Sequence, residues 1–139
     1  MNAITDFLEN SASVNPEKIA IIDSERKYSF CELNEIVSNF SANLLSYSQN
    51  SVISILFEKS IEFVISYLGI LKAGCIAHLI SPTTIESNLQ EQISSAQPKL
   101  IIYSKSLDSK IINLKSFQKA EFKEVIENNK SKDVRKIDT

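Results

Sequence analysis

Few residues in this chain could do chemistry, and His78 is the first of them. It is the only histidine among 139 residues, and it lies near the end of an apolar run, 75–80, that predicts a β-strand. In open α/β sheets, ligands bind at the carboxyl ends of the strands, so His78 could act there as a base or a ligand contact. A lone histidine without convergent partners is more often partly buried, with its ring donating to a backbone carbonyl, and we favour that structural interpretation.

Four charged residues also occupy positions where chemistry could occur. Asp23 ends an apolar run and could mimic the acid that binds ribose in dinucleotide folds, but its setting favours a turn former. Glu58 and Lys59 follow a strand-like run; because they are adjacent, their side chains diverge, which indicates a solvated loop pair. Lys72, near a predicted helix end, suits the helix dipole, which is a structural role.

Sequence patterns that bind nucleotides or activate nucleophiles are absent. Gly69 and Gly74 are the only glycines, so neither a GxGxxG turn nor a Walker loop can form, because backbone N–H groups approach phosphate closely only where glycine permits it. There is no GxSxG nucleophile elbow. We therefore predict no catalytic, cofactor-binding or metal-binding residue in this chain.

Cys31 and Cys75 are the two cysteines, and they lie far apart without a CxxC pattern. With one histidine in the chain, this spacing argues against a zinc site made by the chain alone. Both lie among apolar residues, which favours buried reduced thiols. A disulfide between them stays open at this point.

Composition predicts one folded domain. Hydrophobic residues make up 43% and charged residues 23%, and a domain of this length buries about two-thirds of its unfolded surface. The net charge is −2, and scattered Lys and Arg argue against a nucleic-acid partner. The longest apolar stretch, 61–80, contains charges and breaks at Gly74, so it is a poor membrane span. No signal peptide is recognisable, and a cytoplasmic location is the default expectation.

The elements that position these residues begin with an amphipathic helix that ends before Pro16 and a small hairpin. The hairpin's strands are the apolar runs 19–23 and 27–30, joined by a polar turn. Ser29 and Glu32 fit a capping box that opens the next helix. That helix has an apolar face with a 3.6-residue period, formed by Leu33, Ile36, Val37, Phe40, Leu44 and Leu45.

Three further apolar runs, 52–57, 75–80 and 100–103, predict central strands. After the first, Ser60 can cap a largely buried helix over 61–73, and Gly74 fits the left-handed residue past its end. After the second, a capping box over Thr83–Glu86 opens a helix whose inward residues are Ile85, Leu89, Ile93 and Ala96. This alternation predicts an α/β fold with three layers, a mainly parallel sheet with helices on both faces.

The pattern weakens after residue 103. Ile111 and Ile112 are predicted to form a short edge strand, and 117–128 to form a helix. Residues 129–139 are charged and lack periodicity, which predicts a mobile polar tail. The expected organisation is therefore one α/β domain over 1–128, followed by that tail.

Five segments of the chain occur in a recognisable order. They are Asn15 to Asp23, Tyr28 to Asn34, Ser60 to Gly74, Ser81 to Thr83, and Ala96 to Ile102. In this order they resemble the N-terminal subdomain of the adenylate-forming (AMP-dependent synthetase and ligase) superfamily, over about residues 3 to 128. Leu79 and Ser81 depart from that pattern, because the family commonly has Pro and Asn or Asp there.

The resemblance implies a reaction but carries over no catalytic residue. A complete enzyme of this family joins a carboxylate to ATP with Mg²⁺, releases pyrophosphate, and passes the acyl group from the adenylate to the thiol of coenzyme A or a carrier protein. The family's phosphate loop, adenine motif, ribose-binding acid and late catalytic lysine match nothing in this chain. The matched positions Ser29, Glu32, Gly74 and Pro82 are structural in the family.

We therefore expect an N-terminal fragment or split subunit of such a ligase, inactive alone. An alternative is a non-catalytic binding or scaffold module that pairs with a separate ligase polypeptide, or that self-associates through an uncovered apolar face. A free-standing flavodoxin-like regulator is disfavoured, because the chain lacks a phosphoacceptor cluster and a flavin loop.

Overall fold

The structure is a computed structural model that describes residues 3–112, 114 and 116–127. Its helices and strands are α1 (Ala3–Val14), β1 (Ile19–Ile22), β2 (Lys27–Ser29), α2 (Phe30–Ala42), β3 (Val52–Leu56), α3 (Ile61–Lys72), β4 (Ile76–Ile80), α4 (Glu86–Ala96), β5 (Leu100–Tyr103), α5 (Asp108–Ile111) and β6 (Lys119–Glu121). Residues 122–127 are also helical.

The predicted hairpin and its helix cap are confirmed. β1 and β2 pair antiparallel. Ser29 caps α2: its hydroxyl accepts from the Glu32 N–H at 3.1 Å, and the Glu32 carboxylate accepts from the Ser29 N–H at 2.8 Å. These reciprocal bonds satisfy backbone donors that a helix start leaves free, which explains why a four-residue signal fixes this boundary.

The main sheet confirms the predicted fold class. In the described residues it has the strand order β4-β3-β5-β6, and each neighbouring pair runs parallel. Side chains alternate across it: Ile53, Ile55 and Ile102 join the core cluster with α2 and α3, whereas Leu56 and Ile101 join the cluster with α4. The sheet is therefore covered by helices on both faces.

Gly74 ends α3 as predicted. Its φ is +83°, a left-handed conformation that glycine adopts without strain. The Gly74 N–H donates to the Leu71 carbonyl at 3.0 Å, and the Cys75 N–H donates to the Ile70 carbonyl at 3.1 Å. This pair of bonds is a Schellman motif, and it directs the chain from the helix into β4.

Two strand predictions are wrong. The run 75–80 is predicted as a central strand, but β4 lies at the outer edge of the described sheet. Ile111 and Ile112 are predicted as an edge strand, but Ile111 ends the short helix α5. Ile111 is buried in the cluster on the α4 side of the sheet, so tertiary packing decided the local conformation there.

The prediction of a C-terminal helix is partly wrong. A helix is predicted over 117–128, but β6 occupies Lys119–Glu121 and helical residues begin only at 122. Val125, in these helical residues, is buried. The predicted domain boundary at 128 and the polar tail 129–139 lie outside the described residues.

Three details of the helices also differ from prediction. α4 begins at Glu86 with Ile85 as its N-cap and no side-chain cap, so the capping box over Thr83–Glu86 is wrong. Ile85 and Leu45, both predicted to face inward, are 63% and 65% exposed. The predicted inward pair Leu89 and Ile93 is buried.

The cysteines differ from each other. Both are free, Cys75 is buried and Cys31 is exposed, so the prediction of a buried thiol holds for Cys75 and is wrong for Cys31. Cys31 lies in the first turn of α2. A hydrophobic neighbourhood in sequence does not determine which face of a helix a residue occupies.

Among the helices of the described residues, none is long and apolar enough to cross a membrane. This agrees with the prediction made from the interrupted stretch 61–80.

Ser66 offers a test of how polar groups are tolerated in this core. It lies in α3, is fully buried, and its hydroxyl has no hydrogen-bond partner. We expect Ser66→Ala to raise the free energy of unfolding by about 1 kcal/mol, because the substitution removes an unsatisfied polar group and improves helix propensity. Urea unfolding monitored by circular dichroism measures the change.

The control for Ser66→Ala is Ser95→Ala in α4, where the side chain is exposed. That variant changes helix propensity alone, so its free energy of unfolding should rise by about 0.5 kcal/mol at most. If the free energy of unfolding rose no more in Ser66→Ala than in Ser95→Ala, the buried hydroxyl would not destabilise the fold.

Candidate functional site

The candidate site is the edge of the main sheet at which β3, β5 and β6 end. A cleft of about 440 Å³ lies there. It is lined by the residues that follow β3, by Ser104 and Lys105 after β5, and by Glu121 and the start of the helical residues 122–127. Because ligands of parallel α/β sheets bind outside the carboxyl ends of the strands, this cleft is where a ligand is expected.

The start of α3 forms one wall of the cleft. Ser60 caps the helix by accepting from the Phe63 N–H at 3.2 Å, and its hydroxyl donates to the Glu58 carbonyl at 3.0 Å. The N-terminus of a helix carries a partial positive charge that favours an anion. Here Glu62, in the first helical turn, already supplies that negative charge.

Charges of both signs surround the cleft. The Ser106 hydroxyl donates to the Glu58 carboxylate at 3.1 Å, and Lys59 is exposed beside it. Glu58 and Lys59 thus lie at the predicted edge and are solvated, as expected. Mixed exposed charges give no strong preference for an anion or a cation.

Arg26 is an ion-pair centre beside this cleft that the sequence analysis missed. Its guanidinium contacts the Asp23 carboxylate at 2.9 Å and the Glu62 carboxylate at 2.8 Å. The forked N–H donors of a guanidinium can bond to several carboxylate oxygens at once. Arg26 thus contacts both carboxylates and ties the N-terminal hairpin to α3. The Arg26–Glu62 contact spans 36 residues, which is why no local pattern revealed it.

The two carboxyl groups of this network have lowered pKa values for different reasons. The hydrogen bond from Arg26 is the main factor that lowers the pKa of Glu62. For Asp23, the backbone N–H groups of Glu25 and Arg26 are the main factors that lower the pKa, and both donate to one carboxylate oxygen at 2.8 Å. Asp23 is therefore a turn former, as predicted, and the network is structural.

His78 lies in the middle of β4 and not at the carboxyl edge. Its Nδ1 lies 2.7 Å from the Ser54 hydroxyl, so the predicted bond to a backbone carbonyl is wrong, while the predicted partial burial is right. Ser54 is fully buried and cannot reach a substrate. Burial lowers the pKa of His78, and among the residues that the structure describes no acidic side chain bonds to the ring as the orienting partner of a catalytic base would. The pair is a structural tie between β4 and β3.

We expect His78 to make stability fall in mild acid. Because burial lowers its pKa below the ordinary value of 6.5, the unfolded chain takes up a proton before the folded chain does. Stability is then complete above pH 6.5 and declines as the pH falls from there through the folded-state pKa. Urea unfolding at pH 5 to 8 measures this slope.

The matched variant is His78→Asn, whose amide can still bond to Ser54 but does not titrate. His78 is the only histidine, so the variant should remove most of the slope between pH 5 and 6.5. An unchanged slope in His78→Asn would show that another group controls stability in this range.

The segment Ser81–Thr83 follows β4 and is fixed by two sets of contacts. The hydroxyls of Ser81 and Thr83 lie 2.9 Å apart. From α5, the Lys110 ammonium donates to the carbonyl of Pro82 and to that of Thr84, the latter at 3.1 Å. Sequence reasoning identified Pro82 as a structural position but missed Lys110, because the partners of Lys110 lie 26 to 28 residues away.

Lys72 has the predicted place in the last turn of α3, and it also pairs with Glu9 of α1. No group of three or more His, Cys, Asp or Glu residues within the described part of the chain is placed to hold a metal ion. The described edge thus offers a cleft with fixed walls.

Comparison with protein families gives one match to most of the chain. The sequence model of the family described as "AMP-binding enzyme" matches residues 8–138.

Two curated relatives show how much of a longer protein is matched. Zwittermicin A synthase ZmaJ of Bacillus cereus is 35% identical over 107 residues, which cover 75% of this chain and 20% of that protein. Tyrocidine synthase 1 of Brevibacillus parabrevis is 30% identical over 107 residues, which cover 76% of this chain and 10% of that protein. The chain thus spans a tenth to a fifth of these relatives.

Solved structures share the fold. The N-terminal subdomain of Klebsiella oxytoca NpsA, in complex with 3-hydroxybenzoyl-AMSN, aligns with a TM-score of 0.80 at 22% identity, over 92% of this chain and 32% of that chain. VinN in complex with L-aspartate aligns with a TM-score of 0.83 at 17% identity, over 94% of this chain and 38% of that chain. At these identities the likeness establishes the architecture.

Proposed function

The chain belongs to the AMP-binding enzyme family, and we propose that it supplies the N-terminal, scaffolding part of an ATP-dependent ligase that activates an amino acid. The observation that carries this proposal is the family match over residues 8–138 together with the tenth to fifth of each curated relative that the chain spans. In this proposal the chain forms one wall of the substrate cleft, and the remaining polypeptide supplies the catalytic groups.

The group that accepts the activated acid is proposed from the sequence relatives. Besides the two synthases above, a protein of Metarhizium robertsii that is 29% identical over 113 residues is a nonribosomal peptide synthetase by name. A coenzyme A synthetase from Bacillus subtilis is similar at 18% identity, which supports the fold alone. We therefore propose a carrier-protein thiol, and not coenzyme A, as the acceptor of the activated acid.

The described residues alone do not fit ATP and Mg²⁺. Gly69 lies within α3, where an added Cβ would meet the Phe40 ring, and Gly74 ends the same helix, so no glycine is available at the cleft to let backbone N–H groups cradle phosphate. The described residues also hold no cluster for a metal ion. We assign no step of the reaction to this chain.

The residues that hold the loops beside the cleft and after β4 have a supporting role in this proposal. The Arg26 ion pairs hold the hairpin against α3, and Lys110 fixes the carbonyls after β4. Both hold loops that other parts of a ligase would contact, whether those parts belong to the same polypeptide or to a separate one. A cytoplasmic site of action is the accompanying proposal.

A hybrid protein tests this function. In it, this chain replaces the matched residues of ZmaJ, and amino-acid-dependent exchange between ATP and pyrophosphate is measured. We expect the hybrid to retain exchange, a ZmaJ variant lacking the matched residues to show none, and the 139-residue chain alone to show none. Exchange by the chain alone would refute its proposed inactivity, and a folded hybrid without exchange would refute the scaffold role.

A further inference from the structure

A second cleft lies at the opposite end of β5 from the candidate site. It is formed between the end of α2 and the helical residues 122–127, and Leu100, the first residue of β5, contributes to its lining. Its volume is about 330 Å³, which is within the range of sites that hold small molecules. We call it the α2 cleft, and its polar lining includes Asn43, Tyr47, Gln118 and Glu124.

The charges around the α2 cleft are negative. Among the described residues that line it, Glu124 is an acid and none is Lys, Arg or His. The cleft also adjoins the C-terminal end of α2, where the helix dipole places a partial negative charge that favours a cation. The last turn of α2 contains no basic residue. Neither the carboxylate nor the helix end is therefore balanced by a basic residue of the described lining.

Asn43 adds an acceptor that lacks a donor. The residue is 6% exposed, and its side-chain Nδ2 donates to the Val125 carbonyl at 2.6 Å. Its Oδ1 is buried and has no hydrogen-bond partner among the described residues. A buried polar atom without a partner costs free energy. A ligand that donates an N–H to this oxygen from the cleft would remove that cost.

Apolar and aromatic surface makes up the rest of the lining that bears on the ligand. Leu44, Leu100 and Val125 line the cleft and are buried. The ring of Tyr47 lies beside them, and an aromatic ring attracts an organic cation over its face. A metal ion suits the cleft less well, because no group of three or more His, Cys, Asp or Glu residues in the described ranges is placed to hold one. The lining matches a cation with N–H donors on a short apolar body.

We propose that the α2 cleft binds a small organic cation, an alkylammonium or an alkylguanidinium. Its N–H groups bond to Asn43 Oδ1 and to the Glu124 carboxylate, and its alkyl chain lies against the buried apolar residues. The bound cation connects α2 to the helical residues 122–127 and stabilises the fold. This inference is independent of the proposed function, because the residues it uses belong to the described part of this chain.

Butylguanidinium and butylurea test the inference with the 139-residue chain. The two molecules have nearly the same shape, but only the first is a cation. We expect butylguanidinium to bind with a dissociation constant of about 1 mM and to shift the side-chain amide signals of Asn43 and Gln118 in nitrogen-15 NMR spectra. At a concentration about 20-fold higher, it should raise the thermal midpoint by about 5 °C. Butylurea, and sodium chloride at equal ionic strength, should do neither.

Butylammonium extends the test to the second head group. Saturable binding of butylammonium, with the same two amide signals shifted, would support the inference and identify the head group that binds more tightly. The absence of saturable binding by both cations would overturn the inference. Equal shifts with butylurea or with sodium chloride would also overturn it, because the cationic N–H group would then not be what the cleft recognises.

Two substitutions distinguish this cleft from general attraction to an acidic surface. In Glu124→Gln the charge is lost, but the amide oxygen can still accept from the Glu121 N–H, which bonds to the carboxylate at 2.7 Å. We expect the affinity for butylguanidinium to fall about 5-fold. Glu127→Gln removes the same charge from an exposed residue of the same helical segment that is outside the described lining, and it should leave the affinity unchanged. Equal losses in the two variants would overturn the proposal.

Discussion

Replacing Phe40 with alanine is expected to lower the free energy of unfolding by about 3–5 kcal/mol. Phe40 is fully buried in α2, and its ring stacks on Phe122 with centroids 5.6 Å apart. Phe122 in turn meets Phe57, which follows β3, edge to face at 6.0 Å. The substitution therefore leaves a cavity at the junction of a helix, the sheet and the start of the helical residues 122–127.

Phe7→Ala is the matched control, because Phe7 in α1 is 65% exposed. The same atoms are removed there without opening a cavity, so the change should stay within about 0.5 kcal/mol. Urea unfolding followed by circular dichroism suits both variants, since the chain has no tryptophan. A loss below about 1 kcal/mol for Phe40→Ala would mean that the surrounding aromatic cluster collapses into the vacated space.

The sequence predicted those parts of the fold that depend on short-range signals. Ser29 and Glu32 lie three residues apart, and each satisfies a backbone donor of the other's segment. Gly74 is required where the chain adopts φ +83°. In both cases the information and its physical consequence lie within one helical turn, so a pattern in the sequence is sufficient.

Features that depend on distant partners were not predictable in the same way. The outer position of β4 follows from the absence of a second neighbour among the described strands, which hydrophobicity alone does not report. The same apolar residues suit a strand that is buried by neighbours in this chain and a strand that is buried by another segment. An apolar composition therefore suggests a central strand in both cases. The mistaken central placement is thus a consequence of that composition.

The candidate site shows the same division. Its position at the carboxyl edge of parallel strands was predictable from the alternation of strands and helices. The side chain that fixes one wall was not, because Arg26 reaches Glu62 across 36 residues. Lys110, which fixes the loop after β4, was missed for the same reason, since it reaches Thr84 across 26 residues. A single charged residue in a polar turn has no periodicity that would identify its partner.

Gly69→Ala is expected to lower the free energy of unfolding by up to about 2 kcal/mol, although alanine is the better helix former. A Cβ at Gly69 would lie 2.4 Å from Cδ1 of the Phe40 ring, and that ring is fully buried and stacked, so it has little room to move. Overpacking of a core costs about 1–3 kcal/mol, and the higher helix propensity of alanine offsets about 1 kcal/mol of it. The steric cost therefore exceeds the gain in helix propensity.

The Phe40→Ala background should reverse the sign of the Gly69→Ala effect. Without the ring, the added methyl group enters the vacated space, so the steric cost disappears and the propensity gain of about 1 kcal/mol remains. The difference between the two backgrounds is the coupling energy of the contact between α2 and α3. If Phe40→Ala does not fold, Phe40→Leu provides the background. An equal loss from Gly69→Ala in both backgrounds would show that the glycine is needed for its backbone and not for its closeness to Phe40.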